Sequence, residues 1–446
     1  NIDQAYNLGM IAGKEANAVK CNWSFAPIVD IDKNFLNPIT NIRTFGSDKD
    51  LVIQCAQYQM KALRENCVIP CIKHFPGGVD MRDQHLVSSV NDLTVDQWDN
   101  SYGKIYQTLI DDGVETIMVG HILLPYYTKY INPEINDEDI LPASMSKEIL
   151  SGLLRGKLGF NGMIVTDATA MVGYNVSMPR NKVIPLTIEN GCDMILFNKN
   201  IDEDYQAMKD GIESGLLSIE RLNEAVLRIL ATKMANGLFE KLNEFHDLSI
   251  IGCKEHQELA YQCASKAITL VKNKQDILPI TPQKYKNIRL YHLTDTSKGG
   301  FKESGSQKKI EDYLNDLGFN VDVYDENQLD FHEIFETGVS YLKDKYDLVI
   351  YVADFDTASN YTVRRVEWIK LMAANAPWFV QDIPTLFISL ANPYHLLDVP
   401  MIKTYINGYS HNDVVIQSLV NKLVGKEKFV GVSPVDAFCG KWDTKR

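Results

Sequence analysis

Between Cys71 and Asn91 the chain reads CIKHFPGGVDMRDQHLVSSVN, and Lys73, His74, Asp80, Arg82, Asp83 and His85 fall within thirteen residues of it. Asp83 and His85 stand two apart, behind the turn formers Pro76, Gly77 and Gly78. A carboxylate beside an imidazole orients the ring and favours its protonated form, which suits a general acid/base near neutral pH. The plain alternative is a loop histidine in a turn hydrogen bond. A second stretch, GFNGMIVTDATAM from Gly159 to Met171, runs apolar residues up to one carboxylate, Asp167. An acid at the carboxyl end of a buried strand can be a nucleophile, or it can cap the helix that would follow. Spacing leaves both open. Lys73 and His74 are adjacent, so an extended strand sends one into the site and the other into packing. Arg43 is a candidate donor to hydroxyl groups, and His121, at the end of its own apolar run, reads as a core or supporting residue. His74, Asp80, Asp83 and His85 are close together, but there is no H-E-x-x-H and no zinc-type Cys/His spacing, so no metal is expected.

These residues need strands that end where they stand. SFAPIVDI (Ser24 to Ile31), CVIPCIKHF, VETIMVGHI (Val114 to Ile122), GMIVTDA and CDMILF are short apolar runs, separated by helical spacings near Leu51 to Glu65, Val95 to Asp112, Lys147 to Lys157 and Val183 to Asn190. Two more helices, Asp202 to Ser214 and Ile219 to Leu238, close the section. Strands alternating with helices predict parallel βαβ units, here an α/β fold of (β/α)8 barrel type. A barrel needs eight strands and five are visible. One short strand is expected among the later helices, and the others before Asn1.

The segment Asn243 to Lys254 reads as a linker, which divides the chain into residues 1–242, a barrel domain, and 243–446, a second domain. That second part carries ITLVKN, NIRLYHLT, FNVDVYD, DLVIYVAD, PTLFISLANPY and KTYINGY, β-branched runs with helices between, and predicts an open three-layer α/β sandwich. No G-x-G-x-x-G follows its first strand, so no dinucleotide cofactor is expected.

The totals narrow the partners. A chain of 446 residues implies two domains. Lys and Arg number 45 against 58 Asp and Glu, a net charge of −13 without a basic run, which argues against nucleic acid. No apolar run is long enough to span a membrane. Eight cysteines without C-x-x-C read as buried reduced thiols, which favours a cytoplasmic setting, with secretion left open because no leader can be read at Asn1.

FAPIVDI followed by NP and RTFG (Phe25 to Gly46), KHFPGG with DQH (Lys73 to His85) and GFNGMIVTDATAM together resemble family 3 glycoside hydrolases, in their β-N-acetylglucosaminidase branch. ITLVKN and FISLANPY resemble the second domain that many members carry. The resemblance implies retention of configuration through a glycosyl-enzyme intermediate, with Asp167 as nucleophile, His85 as acid/base and Asp83 as its partner. Lys73, His74 and Arg43 match positions that hold sugar hydroxyls. Three features depart from the branch. Its loop is one residue longer, with Ser where Gln84 stands; Ala168 replaces a frequent second acid; and a D-Q-E-G-G strand would precede Asn1. The implied function is an exo-acting β-N-acetylglucosaminidase on cell-wall fragments or chitooligosaccharides, without cofactor. A β-N-acetylglucosaminide phosphorylase uses the same residues, because an imidazole acid/base brings no negative charge to repel phosphate. A β-glucosidase and an inactive sugar-binding protein complete the alternatives.

Overall fold

The computed structural model describes residues 2–240, 247–294, 304–325, 331–355, 357, 359–360, 362–368 and 373–446. The apolar runs of the first part become β1 (Trp23–Ser24), β2 (Ile69–Phe75), β4 (Thr116–Val119), β6 (Met163–Ala168) and β7 (Met194–Leu196). Two short strands, β3 (Ser89–Val90) and β5 (Ile122–Leu123), lie between them. The five longer-range strands pair in parallel in the order β1-β2-β4-β6-β7, the curled half-barrel of a TIM-like domain. Successive side chains serve opposite faces. Ile72, Ile117, Val119 and Ile164 pack outward with Val52, Trp98 and Leu153, whereas Cys71, Met118 and Val165 form a smaller inner cluster. Burial on both faces explains why these strands read as continuous apolar runs, and each fully buried aliphatic side chain contributes about 2 kcal/mol.

Helix Lys49–Glu65 joins β1 to β2, started by Asp48, whose carboxylate accepts from the N–H groups of Asp50 and Leu51 at 2.8 and 2.9 Å. Helix Lys104–Asp111 precedes β4, the π-helix Glu148–Lys157 precedes β6, and helix Arg180–Glu189 precedes β7. Two expectations need correction. SFAPIVDI is a ladder strand only at its start. Pro27 has no N–H to offer, and beyond it one bridge, Ile28 to Lys73, keeps the segment beside β2. The short strand expected among the later helices is absent from the described residues, where helices Ile201–Glu213 and Ile219–Ala235 run instead. The parallel pair β3–β5 was not expected; it ties the end of the polar loop to the chain leaving β4.

The chain forms two compact units, Asn1–Cys253 with Ala358–Thr362, and Lys254–Thr357 with Val363–Arg446. The sequence-based boundary after residue 242 falls within 241–246, outside the described residues. The second unit is built on β8 (Thr269–Asn273), β9 (Asn287–Thr294), β10 (Asn320–Val323), β11 (Leu348–Asp354), β12 (Thr385–Ser389) and β13 (Thr404–Asn407). They form one sheet in the order β10-β9-β11-β12-β13-β8, parallel except for β8. One face buries Ile288, Leu290, Ile350, Val352 and Ile388; the other stacks Tyr291, Tyr351, Phe387 and Tyr405. Two packed faces make the expected three-layer domain.

All eight cysteines are free thiols. Cys21 and Cys67 are exposed, contrary to the expectation of burial throughout. No helix among the described residues is long and apolar enough to cross a membrane.

Candidate active site

β6 delivers Asp167 at its carboxyl end, where the ladder to β7 becomes irregular between Val165 and Ala168. The Asp167 carboxylate is not a helix cap in this fold. Its Oδ1 accepts from the Ala168 N–H at 2.8 Å, and its Oδ2 accepts from the side-chain amide of Gln84 at 3.1 Å. His74 Nε2 lies 3.8 Å from the same Oδ2. Burial alone would push this carboxyl up, but His74, His121, the Ala168 N–H and Lys73 outweigh it and hold Asp167 below its ordinary range. The group is therefore a carboxylate at neutral pH, as a nucleophile must be.

β2 supplies Lys73 and His74. The simple alternation expected of them does not hold, since the β2–β4 ladder is irregular between Ile72 and Phe75 and both side chains feel the Asp167 charge. His74 is buried, with Nδ1 2.8 Å from Asp30 Oδ2, and Asp30 Oδ1 accepts from the Gly78 N–H at 3.0 Å. Burial lowers the Lys73 ammonium; Asp167 opposes the shift and Arg43 adds to it. Arg43 itself is exposed, in the short helix Asn41–Arg43.

The polar loop after β2 is fastened along its length. Asn34 and Asn37 donate to the carbonyls of Val79 and Asp80 at 2.9 and 2.7 Å, Asn91 to Gly77 at 2.8 Å, and the Tyr102 hydroxyl to Gly78 at 2.9 Å. Asp80 holds Arg82 through two guanidinium nitrogens and accepts from the Val90 N–H. Gly77 has φ +104, and a Cβ there would lie 2.3 Å from the Tyr102 ring. At the far end a Cβ on Gly173 would lie 2.4 Å from the Gln84 carbonyl, so the chain after β6 packs directly on this loop. The His85 carbonyl accepts from the Val172 N–H at 3.0 Å.

That fastening fixes a dyad. Asp83 Oδ1 stands 2.6 Å from His85 Nδ1 and accepts from the His85 N–H at 2.8 Å, while Oδ2 accepts from the Asn360 N–H at 2.5 Å. The Asp83 side chain is fully buried and that of His85 is 26% exposed. Burial pushes the Asp83 carboxyl up, but the His85 ring, the His85 N–H and the Asn360 N–H outweigh it and hold it below its ordinary range. A carboxylate at Nδ1 keeps a proton on that nitrogen and leaves Nε2 to exchange one. His121 is wholly buried, between the Ser144 hydroxyl at 2.9 Å and the Ala168 carbonyl at 3.1 Å. Burial lowers its basicity, which Asp167 opposes.

Asp167, Lys73 and His74 thus gather around one place, with Arg43 close enough to act on Lys73, and Gln84 ties the loop that carries Asp83 and His85 to it. Gln84, Asp30 and Asn360 also belong to it, although sequence reasoning passed over them. Asp30 carried a signal, since it too ends an apolar segment. Gln84 carried one only as the odd residue inside D-x-H, and Asn360 none, being 277 positions from its partner.

The family model of the glycosyl hydrolase family 3 N terminal domain matches residues 1–232. A "Beta-N-acetylglucosaminidase/beta-glucosidase" of Cellulomonas fimi is 42% identical over 447 residues, covering 99% of this chain and 79% of the relative. "Beta-hexosaminidase A" of Pseudoalteromonas piscicida is 31% identical over 63% of this chain and 48% of its own length, so the chain spans about half of that relative. A solved structure of the β-glucoside phosphorylase BglX superposes with TM-score 0.94 at 44% identity, covering 100% of this chain and 80% of that one. A family 3 β-N-acetylglucosaminidase from Paenibacillus sp. str. FPU-7 shares the fold, with TM-score 0.79 at 22% identity over 98% of this chain and 80% of that one.

Proposed function

The chain belongs to glycosyl hydrolase family 3, and within it we propose a retaining, exo-acting β-N-acetylglucosaminidase with Asp167 as nucleophile and the Asp83–His85 dyad as acid/base. The carrying observation is the bond from Gln84 to Asp167, because Gln84 stands between the dyad residues and so joins loop and nucleophile in one site. In the first step the Asp167 carboxylate attacks the anomeric carbon while His85 gives a proton to the departing oxygen. In the second, His85 takes a proton from water, which attacks the same carbon and releases Asp167. Lys73, His74 and Arg43 offer donors to the sugar hydroxyls. The names of the relatives, a β-N-acetylglucosaminidase/β-glucosidase and a β-hexosaminidase, support a terminal β-linked N-acetylhexosamine as the sugar, and cell-wall fragments or chitooligosaccharides are the substrates proposed to carry it.

A second reading has its own support. The acid/base is an imidazole, so no carboxylate charge guards the acceptor side, and the 44%-identical BglX is a β-glucoside phosphorylase. Phosphate would then replace water in the second step.

The test is turnover of p-nitrophenyl β-N-acetylglucosaminide beside the β-glucoside, with and without phosphate. Faster release from the N-acetyl sugar, independent of phosphate and yielding free sugar, is expected. Phosphate-dependent formation of a sugar 1-phosphate would move the assignment to a phosphorylase, and preference for glucose to a β-glucoside enzyme. No turnover of either would leave a sugar-binding protein.

A further inference from the structure

We infer that Gln84 is a positioning residue for the nucleophile, fixing the Asp167 carboxylate and tying its placement to that of the acid/base loop. The inference rests on the mechanism proposed above. Both ends of the Gln84 amide are assigned by chemistry. Its Oε1 lies 3.1 Å from the His121 N–H, which can only donate, and its Nε2 lies 3.1 Å from Asp167 Oδ2, which as a carboxylate can only accept. A flipped amide would set donor against donor and oxygen against oxygen, so Gln84 presents an N–H to Asp167 and nothing else.

The side chain has no freedom to do otherwise. Gln84 is 6% exposed, its carbonyl is packed against Gly173, and a Cβ on Gly120 would lie 2.8 Å from its Oε1. Its neighbours Asp83 and His85 form the dyad, so one residue spans from the loop to the nucleophile and to the chain after β4. With the Ala168 N–H on Oδ1, each oxygen of Asp167 then has one fixed donor. Both donors favour the ionised carboxylate and hold its plane before substrate arrives. A serine at this position is too short to span the same gap.

The test uses the full chain and a 5-fluoro glycosyl fluoride. Asp167 displaces fluoride and forms a glycosyl ester, and because fluoride leaves without protonation, the labelling rate reports the nucleophile apart from His85. Gln84→Glu keeps the shape and the acceptor for the His121 N–H but puts a second carboxyl against Asp167, where two acids would share a proton. The wild type should label at Asp167 with a rate flat from about pH 5 upward. Gln84→Glu should develop a limb in that range, its rate changing with pH, as the shared proton comes and goes. Gln84→Ala should label at least about tenfold more slowly at pH 7, measured well below a thermal midpoint that the unpaired His121 N–H will lower, and at a temperature where the variant remains folded. A merely structural role would scale the rate equally at every pH, and that result, or wild-type rates in both variants, overturns the inference. Wild-type chain that carries no label on Asp167 would sink the mechanism itself, and the role of Gln84 with it.

Discussion

At the scale of single residues the site separates its two tasks by environment. Asp167 and Asp83 are both buried carboxylates held below their ordinary range, but the charges around them differ. Asp167 faces His74, His121 and Lys73 and so keeps the negative charge that the proposed attack requires, whereas Asp83 commits its Oδ1 to the ring and N–H of His85. The division predicts a leaving-group signature. In the proposed mechanism, removing His85 withdraws the proton donor of the first step, which matters in proportion to the basicity of the departing oxygen. His85→Ala should therefore lower kcat/KM by about 10²–10⁴-fold on an alkyl β-N-acetylglucosaminide and far less on the 2,4-dinitrophenyl glycoside. Added azide, which needs no base, should restore the second step. Equal losses on both substrates would remove His85 from the acid role.

At the scale of elements the acid/base loop is held by its flanks, chiefly by Tyr102, whose hydroxyl donates to the Gly78 carbonyl and accepts from the Ile31 N–H at 3.2 Å. Gly77→Ala would press a methyl group into that ring at a backbone angle that L residues rarely adopt, and the ring cannot yield without releasing both bonds. Such overpacking with strain should cost about 3 kcal/mol, read as a lower thermal midpoint together with lost turnover. A cost below about 1 kcal/mol would mean that the loop is not fastened as described. The same element marks what could be read from sequence. The apolar runs ending on His74, His121 and Asp167 were legible because strands buried on both faces admit few polar residues. Gln84 as a bridge was not, because its meaning depends on where β6 arrives, and neither was Asn360, which nothing local connects to Asp83. Lys73 and His74 defeated the alternation rule because that rule assumes a regular strand. SFAPIVDI was over-read for a similar reason, since its pattern suits a strand but Pro27 cannot donate to one.

At the scale of the whole molecule the two units hold their carboxylates in different ways, and the second should show it in acid. Glu427 accepts from Ser265 at 2.6 Å, Ser418 at 2.9 Å, Asn421 at 3.1 Å and the Tyr261 hydroxyl, which ties helix Lys254–Ala267 to helix Asp413–Leu423. Burial pushes this carboxyl up, but the four donors outweigh it and bring it from 4.5 to about 2. Asp354, at the end of β11, is brought to about 2 by His411, Ser304 and Ser306 against the same opposition. A group whose pKa is depressed by folding stabilises the fold above its unfolded value and stops doing so as pH falls through the folded value. Glu427 keeps 22% of its side chain in water, so after screening that is on the order of 1 kcal/mol, present above about pH 4.5 and lost toward pH 2. The chain's net charge changes as well, from −13 at pH 7 through zero near pH 5.2 to strongly positive below it, so self-repulsion first falls and then grows as the pH drops. Bulk unfolding would mix the two effects, so the probe has to be local. Hydrogen exchange of the buried β11 amides, Leu348–Asp354, should be faster in Glu427→Gln than in wild type at pH 6, and the difference should close toward pH 2 once the intrinsic rates are divided out. A difference that stays constant across that range would show that the Glu427 network stabilises the second unit through shape and neutral hydrogen bonds, with no contribution from its charge.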